Sequence, residues 1–417
     1  MNRTKEKKYI LEIVIATCLG AIAGNFGNYT RWVILICLLC IQIIRFKGEL
    51  HILPMYGTVS YSLYIMICFI GGLWALLHSK LEIWPFVRDI ILVTTLPIAW
   101  AFFCNTSAAY EHNKSRMWST VYASAGMLSV FALVQSIPKL VQGVSSFSGF
   151  VAGIPYLQWP LALGIYLFVF HPPEIDGFYI TKRVDRTLFL IQVLVALLSF
   201  SRIFFVILFC LILPSLINKK RLMVILKLFI LLAICSVAVY ILLPEVAQTF
   251  WNKVTRSLIE VGTTRNWTEE QIVWNWRGYE VYSANLAFSK YNTFQMLFGK
   301  GFGASVATPY ARLVTGESAL AYLHNGYYTS LIKGGIIGLG LHIMLFVSQF
   351  VRIVRDAKMN SFDKALCLGI ILAFSVTSIV GGDVFFGSAY MLPWLIFAWI
   401  TTSTISTRKN SMILLHK

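Results

Sequence analysis

His324 stands beside an asparagine in AYLHNGYYTSLIKGGIIGLG, residues 321–340, at the mouth of an apolar run studded with glycines. An imidazole ordinarily titrates near neutrality, so it can take a proton from a hydroxyl or return one. A lone histidine at such a boundary is as readily structural, and its partners decide between the two roles. Arg277 lies in WNWRGYE, where Trp274, Arg277, Val281, Ala284 and Phe288 follow spacings of three and four and so share one face of a helix. A guanidinium on an apolar stripe must reach water or meet an anion, and its planar fork suits phosphate. Arg202 stands with Ser201 between two apolar runs in LLSFSRIFFVILF, where a cation either anchors at the interface or faces a polar cavity.

Three weaker candidates follow from neighbouring patterns. LFGKGFGASV sets Gly299, Gly301 and Gly303 around Lys300. Such a turn can offer backbone N–H groups to phosphate, although without a preceding strand a plain turn is the better expectation. Lys333 follows His324 at about 13 Å along a helix, positioned to snorkel or to join an anion site. Asp383, in IVGGDVFFGS, stands at a turn where it would pair with a cation, orient His324 or simply be solvated. No cluster of His, Cys and carboxylate ligands has metal spacing, so neither a metal nor another cofactor is expected.

The elements that must hold these residues are set by composition. The chain of 417 residues is 58% hydrophobic and 13% charged, with a mean hydropathy of +0.72, against about 25% charged in a soluble domain. Runs long enough to cross about 30 Å of hydrocarbon recur throughout, and twelve spans are expected, at 9–27, 31–44, 54–77, 89–105, 117–138, 149–170, 187–200, 202–217, 222–243, 326–350, 363–380 and 385–402. The first is read as a retained signal-anchor, because a second span follows directly. The fold class is therefore an all-α polytopic membrane protein, a single membrane domain over 1–417 embedded in the lipid bilayer.

The net charge of +17 points to the positive-inside rule and not to nucleic acid, because most Lys and Arg fall in alternate connections when both termini are put in the cytoplasm. The eight cysteines lie in or beside apolar runs, and the Cys37/Cys40 pair has no metal-site companion. One long connection, 244–325, differs from all the others in alternating tryptophans with charges and glycines. Loops of that length are commonly functional, and the topology puts this one outside the cytoplasm. Two helices are expected inside it: an amphipathic one in PEVAQTFWNKVTRSLIEVG, and one beginning at Thr268 with Glu269 and Glu270 in its first turn.

The order of S-R turn, WNWRGYE, GKGFG and HNGYYTSLIKGGIIGL, with the surrounding spans, resembles the O-antigen polymerase and O-antigen ligase superfamily of bacterial surface-polysaccharide synthesis. The likeness is sharpest over about 186–345. It implies an inner-membrane, metal-independent glycosyltransferase using an undecaprenyl diphosphate-linked glycan as donor, with its site on the periplasmic side. Carried over by position, Arg202 and Arg277 would hold the diphosphate and His324 would activate the acceptor hydroxyl. Lys300, Arg312, Lys333 and Asp383 are added as weaker diphosphate contacts, though Lys333-Gly334-Gly335 departs from the family pattern. Polymerisation of repeat units is the expected reaction, for which a chain-length regulator is the natural partner. Ligation onto lipid A-core is the nearest alternative, and a lipid-linked oligosaccharide flippase is the alternative of a different class.

Overall fold

A computed structural model describes residues 11–19, 27–48, 57–78, 83–109, 114–141, 157–199, 201–217, 267–308, 318–380 and 391–402, with single positions elsewhere. The architecture is helical: α1 (Gly27–Arg45), α2 (Thr58–His78), α3 (Ile83–Ala109), α4 (Lys114–Val141), α5 (Gln158–Val169), α6 (Lys182–Ser199), α7 (Arg202–Ile212), then α8 (Glu269–Trp274), α9 (Trp276–Ser289) and α10 (Thr293–Phe298), and lastly α11 (Gly326–Arg355) and α12 (Ser361–Val380). Among the described residues, five helices, α2, α3, α4, α11 and α12, are long and apolar enough to cross a membrane, and Met391–Thr402 is a shorter apolar helix, α13. The expected span at 222–243 lies outside the described residues apart from isolated positions.

The helices pack as a chain of neighbours. α1 lies on α3, α2 on α11, α11 on α12, α12 on α7, α7 on α5, and α5 beside α4 and α6. Their directions follow from particular contacts. Leu211 of α7 meets Gly369, in the middle of α12. Ser215, just past α7, bonds the Tyr166 hydroxyl at 2.9 Å, and the Tyr166 ring lies 6.0 Å from Phe362 at the start of α12. α7 therefore runs antiparallel to α12, and Arg202 points to the end of α12 that carries Ser375.

The two ends of the bundle differ in charge. At one end α4 starts with Lys114 and Arg116, α6 with Lys182, Arg183 and Arg186, and α11 finishes with Arg352 and Arg355. Three contacts hold these together: Trp118 on Phe362 at 5.6 Å, the Tyr122 hydroxyl donating to Asp185 O at 2.7 Å, and Lys364 Nζ donating to Val354 O at 2.9 Å. The opposite end carries Arg202 and, through the Tyr327 hydroxyl donating to Ser375 O at 2.9 Å, the start of α11.

α11 is not one rod. At Gly335 the backbone takes φ 66° and ψ −163°, breaking the helix into an arm over 326–334 and a second arm over 336–355. The second arm has about the 30 Å needed to cross the hydrocarbon. The first arm folds back on it: Ser330 Oγ is 2.7 Å from His342 Nδ1, and the Tyr327 ring is 5.1 Å from the His342 ring. In a straight helix Ser330 and His342 would be about 18 Å apart. The break frees carbonyls that a membrane-embedded helix must satisfy. Ile332 O accepts from Lys300 N at 3.1 Å and from the Tyr291 hydroxyl at 3.2 Å, and Lys333 O accepts from Gly301 N at 2.8 Å.

The described part of the long connection forms a small second core. Ala284, Tyr291, Val306, Leu320, Leu323 and Ile332 are buried together, and the two-residue strands Val306–Ala307 and Ala319–Leu320 pair antiparallel. The helix expected from Thr268 does begin there, with a capping box between Thr268 and Gln271. It is interrupted at Asn275, whose side chain accepts from Gly278 N at 3.1 Å and starts a new helix, α9.

Candidate functional site

Asn325 caps α11 by accepting from Tyr328 N at 3.2 Å, and Thr329 Oγ1 accepts from Leu323 N at 3.1 Å. This double tie fixes His324 at the bend just before the helix. Glu280, on α9, closes on it from the other side. Its Oε1 is 2.8 Å from His324 Nδ1 and its Oε2 accepts from the His324 backbone N–H at 2.9 Å. The Glu280 side chain is 2% exposed and that of His324 50%. A buried carboxylate thus grips one edge of an imidazole whose opposite edge faces outward. With Nδ1–H donated to the carboxylate, the Nε2 lone pair is the one presented for chemistry.

Arg277 lies one helical turn before Glu280 and so on the same side of α9. Arg202 is the first residue of α7, with Ser201 as its cap, at the same end of the bundle as His324. The structure thus collects His324, Arg277 and Arg202 at one end. Arg312 and Asp383 lie outside the described residues.

Lys333 neither snorkels nor faces an open anion site. It is buried and ion-paired with Asp89 of α3, and its ammonium also donates to Ala304 O at 2.9 Å. Lys333 does follow His324 along the first arm, but Asp89 on α3 and the Ala304 carbonyl hold its ammonium in the packed interior. The glycine turn offers no phosphate cradle either. Its N–H groups at Lys300, Gly301, Phe302 and Gly303 go to Ile332 O, Lys333 O, Cys68 O at 2.7 Å and Asp89 Oδ2 at 2.8 Å. Lys300 itself is exposed and lies 4.5 Å over the Tyr291 ring.

Asp89 anchors a second cluster beneath the His324 bend. It accepts from Gly303 N, from Lys333 and from the Tyr322 hydroxyl. The Tyr322 ring carries Lys333 Nζ at 4.9 Å and the Arg88 guanidinium at 5.2 Å. Burial, and then the Asp89 charge, push the Tyr322 phenol far above its ordinary value, Arg88 pulling the other way. Among the described residues no group of three His, Cys, Asp or Glu could hold a metal.

Sequence reasoning missed Glu280 and Asp89. Glu280 sits three residues past Arg277 in WRGYE, and that same-face spacing was the available signal. The chain matches no family model and no curated protein sequence.

Proposed function

We propose that the chain is a membrane glycosyltransferase that polymerises undecaprenyl diphosphate-linked repeat units into O antigen or a related surface polysaccharide. The observation that carries this reading is the two-point grip of Glu280 on His324, which makes the imidazole an oriented base and not a lone boundary histidine. An acceptor hydroxyl gives its proton to His324 Nε2 as its oxygen attacks the anomeric carbon of the donor. The bond from that carbon to the diphosphate oxygen breaks, the electron pair leaves on the diphosphate, and the configuration inverts. Arg277 and Arg202 are suited to the charge that builds on the departing diphosphate, where fixed donors stabilise the transition state most. The concentration of Lys and Arg at the opposite end of the bundle supports a periplasmic site in the inner membrane, with that basic end cytoplasmic.

A transport reading draws on a different observation. Broken helices and buried ion pairs in membrane proteins also form transport sites, and α11 with its Lys333–Asp89 pair has both features. Purified protein supplied with a lipid-linked repeat unit separates the readings. Longer lipid-linked chains are the expected product. Transfer only to added lipid A-core would make it a ligase, and no covalent product from either acceptor would sink both enzyme readings in favour of transport.

A further inference from the structure

Arg88 is a cation at this end of the bundle that the reaction above leaves unused. It sits in the first turns of α3 beside Asp89, with its guanidinium over Tyr322, two residues before His324. Arg88 and Lys333 bring two positive charges to the cluster and Asp89 one negative. The Asp89 oxygens are already taken by Gly303 N, Lys333 and the Tyr322 hydroxyl. Arg88 Nε stands 3.7 Å from Asp89 Oδ1, near enough for attraction and too far for a hydrogen bond. That nitrogen is buried without a hydrogen-bond partner among the described residues, and the guanidinium's hydrogen bond to the Tyr322 hydroxyl brings it no negative charge. Tyr322 does not supply the missing negative charge, since its phenol is held neutral. Glu280 is committed to His324. Among the described residues one positive charge is therefore left over, on a side chain 31% exposed.

An unbalanced, half-buried guanidinium is costly unless an anion meets it, and its fork matches the oxygens of a phosphate. We propose that Arg88, lying on Tyr322 as on a shelf, is a substrate-binding residue that grips a phosphate oxyanion of a lipid-borne ligand beside His324. The inference rests on the reading of a lipid-linked diphosphate donor and adds a cation from α3 to those on α7 and α9. It also gives Tyr322 a role: the ring holds the guanidinium at the mouth of the site, while the hydroxyl ties the same residue to Asp89.

The test is binding, measured with the purified full chain in detergent against undecaprenyl diphosphate and, separately, uncharged undecaprenol. The wild type is expected to prefer the diphosphate. Arg88→Gln should weaken diphosphate binding about tenfold or more, as expected for loss of a charge-assisted hydrogen bond, and leave undecaprenol binding unchanged. Arg88→Lys should recover part of the loss. Undiminished diphosphate binding by Arg88→Gln, equal loss of both lipids, or a wild type indifferent to the diphosphate would each overturn the inference. Glycan transfer measured on the same wild-type preparation judges the parent reading independently. A protein that binds diphosphate through Arg88 yet forms no glycan product keeps the phosphate site and loses the transferase.

Discussion

His324 has one ring edge held by Glu280 and one left outward, so the two residues should fail in different ways. His324→Ala removes the base and should lower glycan transfer by roughly 10²–10⁴-fold with no loss of folded protein. Substantial residual turnover would take the histidine out of that role. Glu280→Gln keeps the shape but no longer offers a charged acceptor to Nδ1–H, so kcat should fall while KM stays close to wild type. A rise in KM alone would mean that Glu280 serves substrate binding instead. Arg277→Lys keeps charge and loses the fork, and transfer should fall on the order of 10²-fold if the guanidinium meets the developing diphosphate charge. Near-normal turnover would leave Arg277 as an interfacial anchor. His324 and Arg277 stand out in the sequence because each is a polar exception in an apolar setting. Glu280 does not, because a glutamate on a helix is by default solvated, and only the fold reveals that it is buried against the histidine.

At the scale of elements, the unexpected feature is the reversal at Gly335. The apolar run over 326–350 is legible as a membrane helix, and Gly334 and Gly338, spaced as G-x-x-x-G, are legible as sites of close packing. The reversal is not, because two adjacent glycines permit a left-handed backbone without requiring it. What requires it is the GKGFG turn, whose N–H groups meet the carbonyls freed at Ile332 and Lys333. The turn comes equally close to α2: a Cβ on Gly301 would lie 1.9 Å from Gly72 N. A Cβ on Gly335 would lie 2.3 Å from Leu297 O at a φ of +66°. Gly335→Ala should therefore cost at least about 1–3 kcal/mol from backbone strain, seen as a lower melting temperature in detergent. Gly340→Ala, whose Cβ would meet nothing within 4 Å, is the control and should melt like the wild type. Equal melting of the two variants would contradict the reversed helix. The start of a helix at Thr268 was legible from its acidic first turn, whereas the interruption at Asn275 depends on a side chain that caps α9 in preference to continuing α8.

For the whole molecule, the arrangement of charge links fold to side of the membrane. Composition alone makes the chain a membrane protein, but which connections share an end depends on how the helices pack, and here that is set by contacts such as Leu211 on Gly369 and Tyr327 on Ser375. These bring Arg202 to the end where His324 lies, although 121 positions separate them in the chain. On the proposed reading, the positive-inside rule would put the Lys- and Arg-rich end in the cytoplasm and the His324 end on the outer side. Ser289, at the end of α9, and Lys358, between α11 and α12, are both exposed and so report on the two sides. In a background with the native cysteines replaced, Ser289→Cys should react with a membrane-impermeant maleimide once the inner membrane's outer face is accessible in intact spheroplasts. Lys358→Cys should react only after the membrane is broken. The reverse pattern would put the Glu280–His324 pair on the cytoplasmic side, where a transferase acting on exported lipid-linked units could not meet its donor.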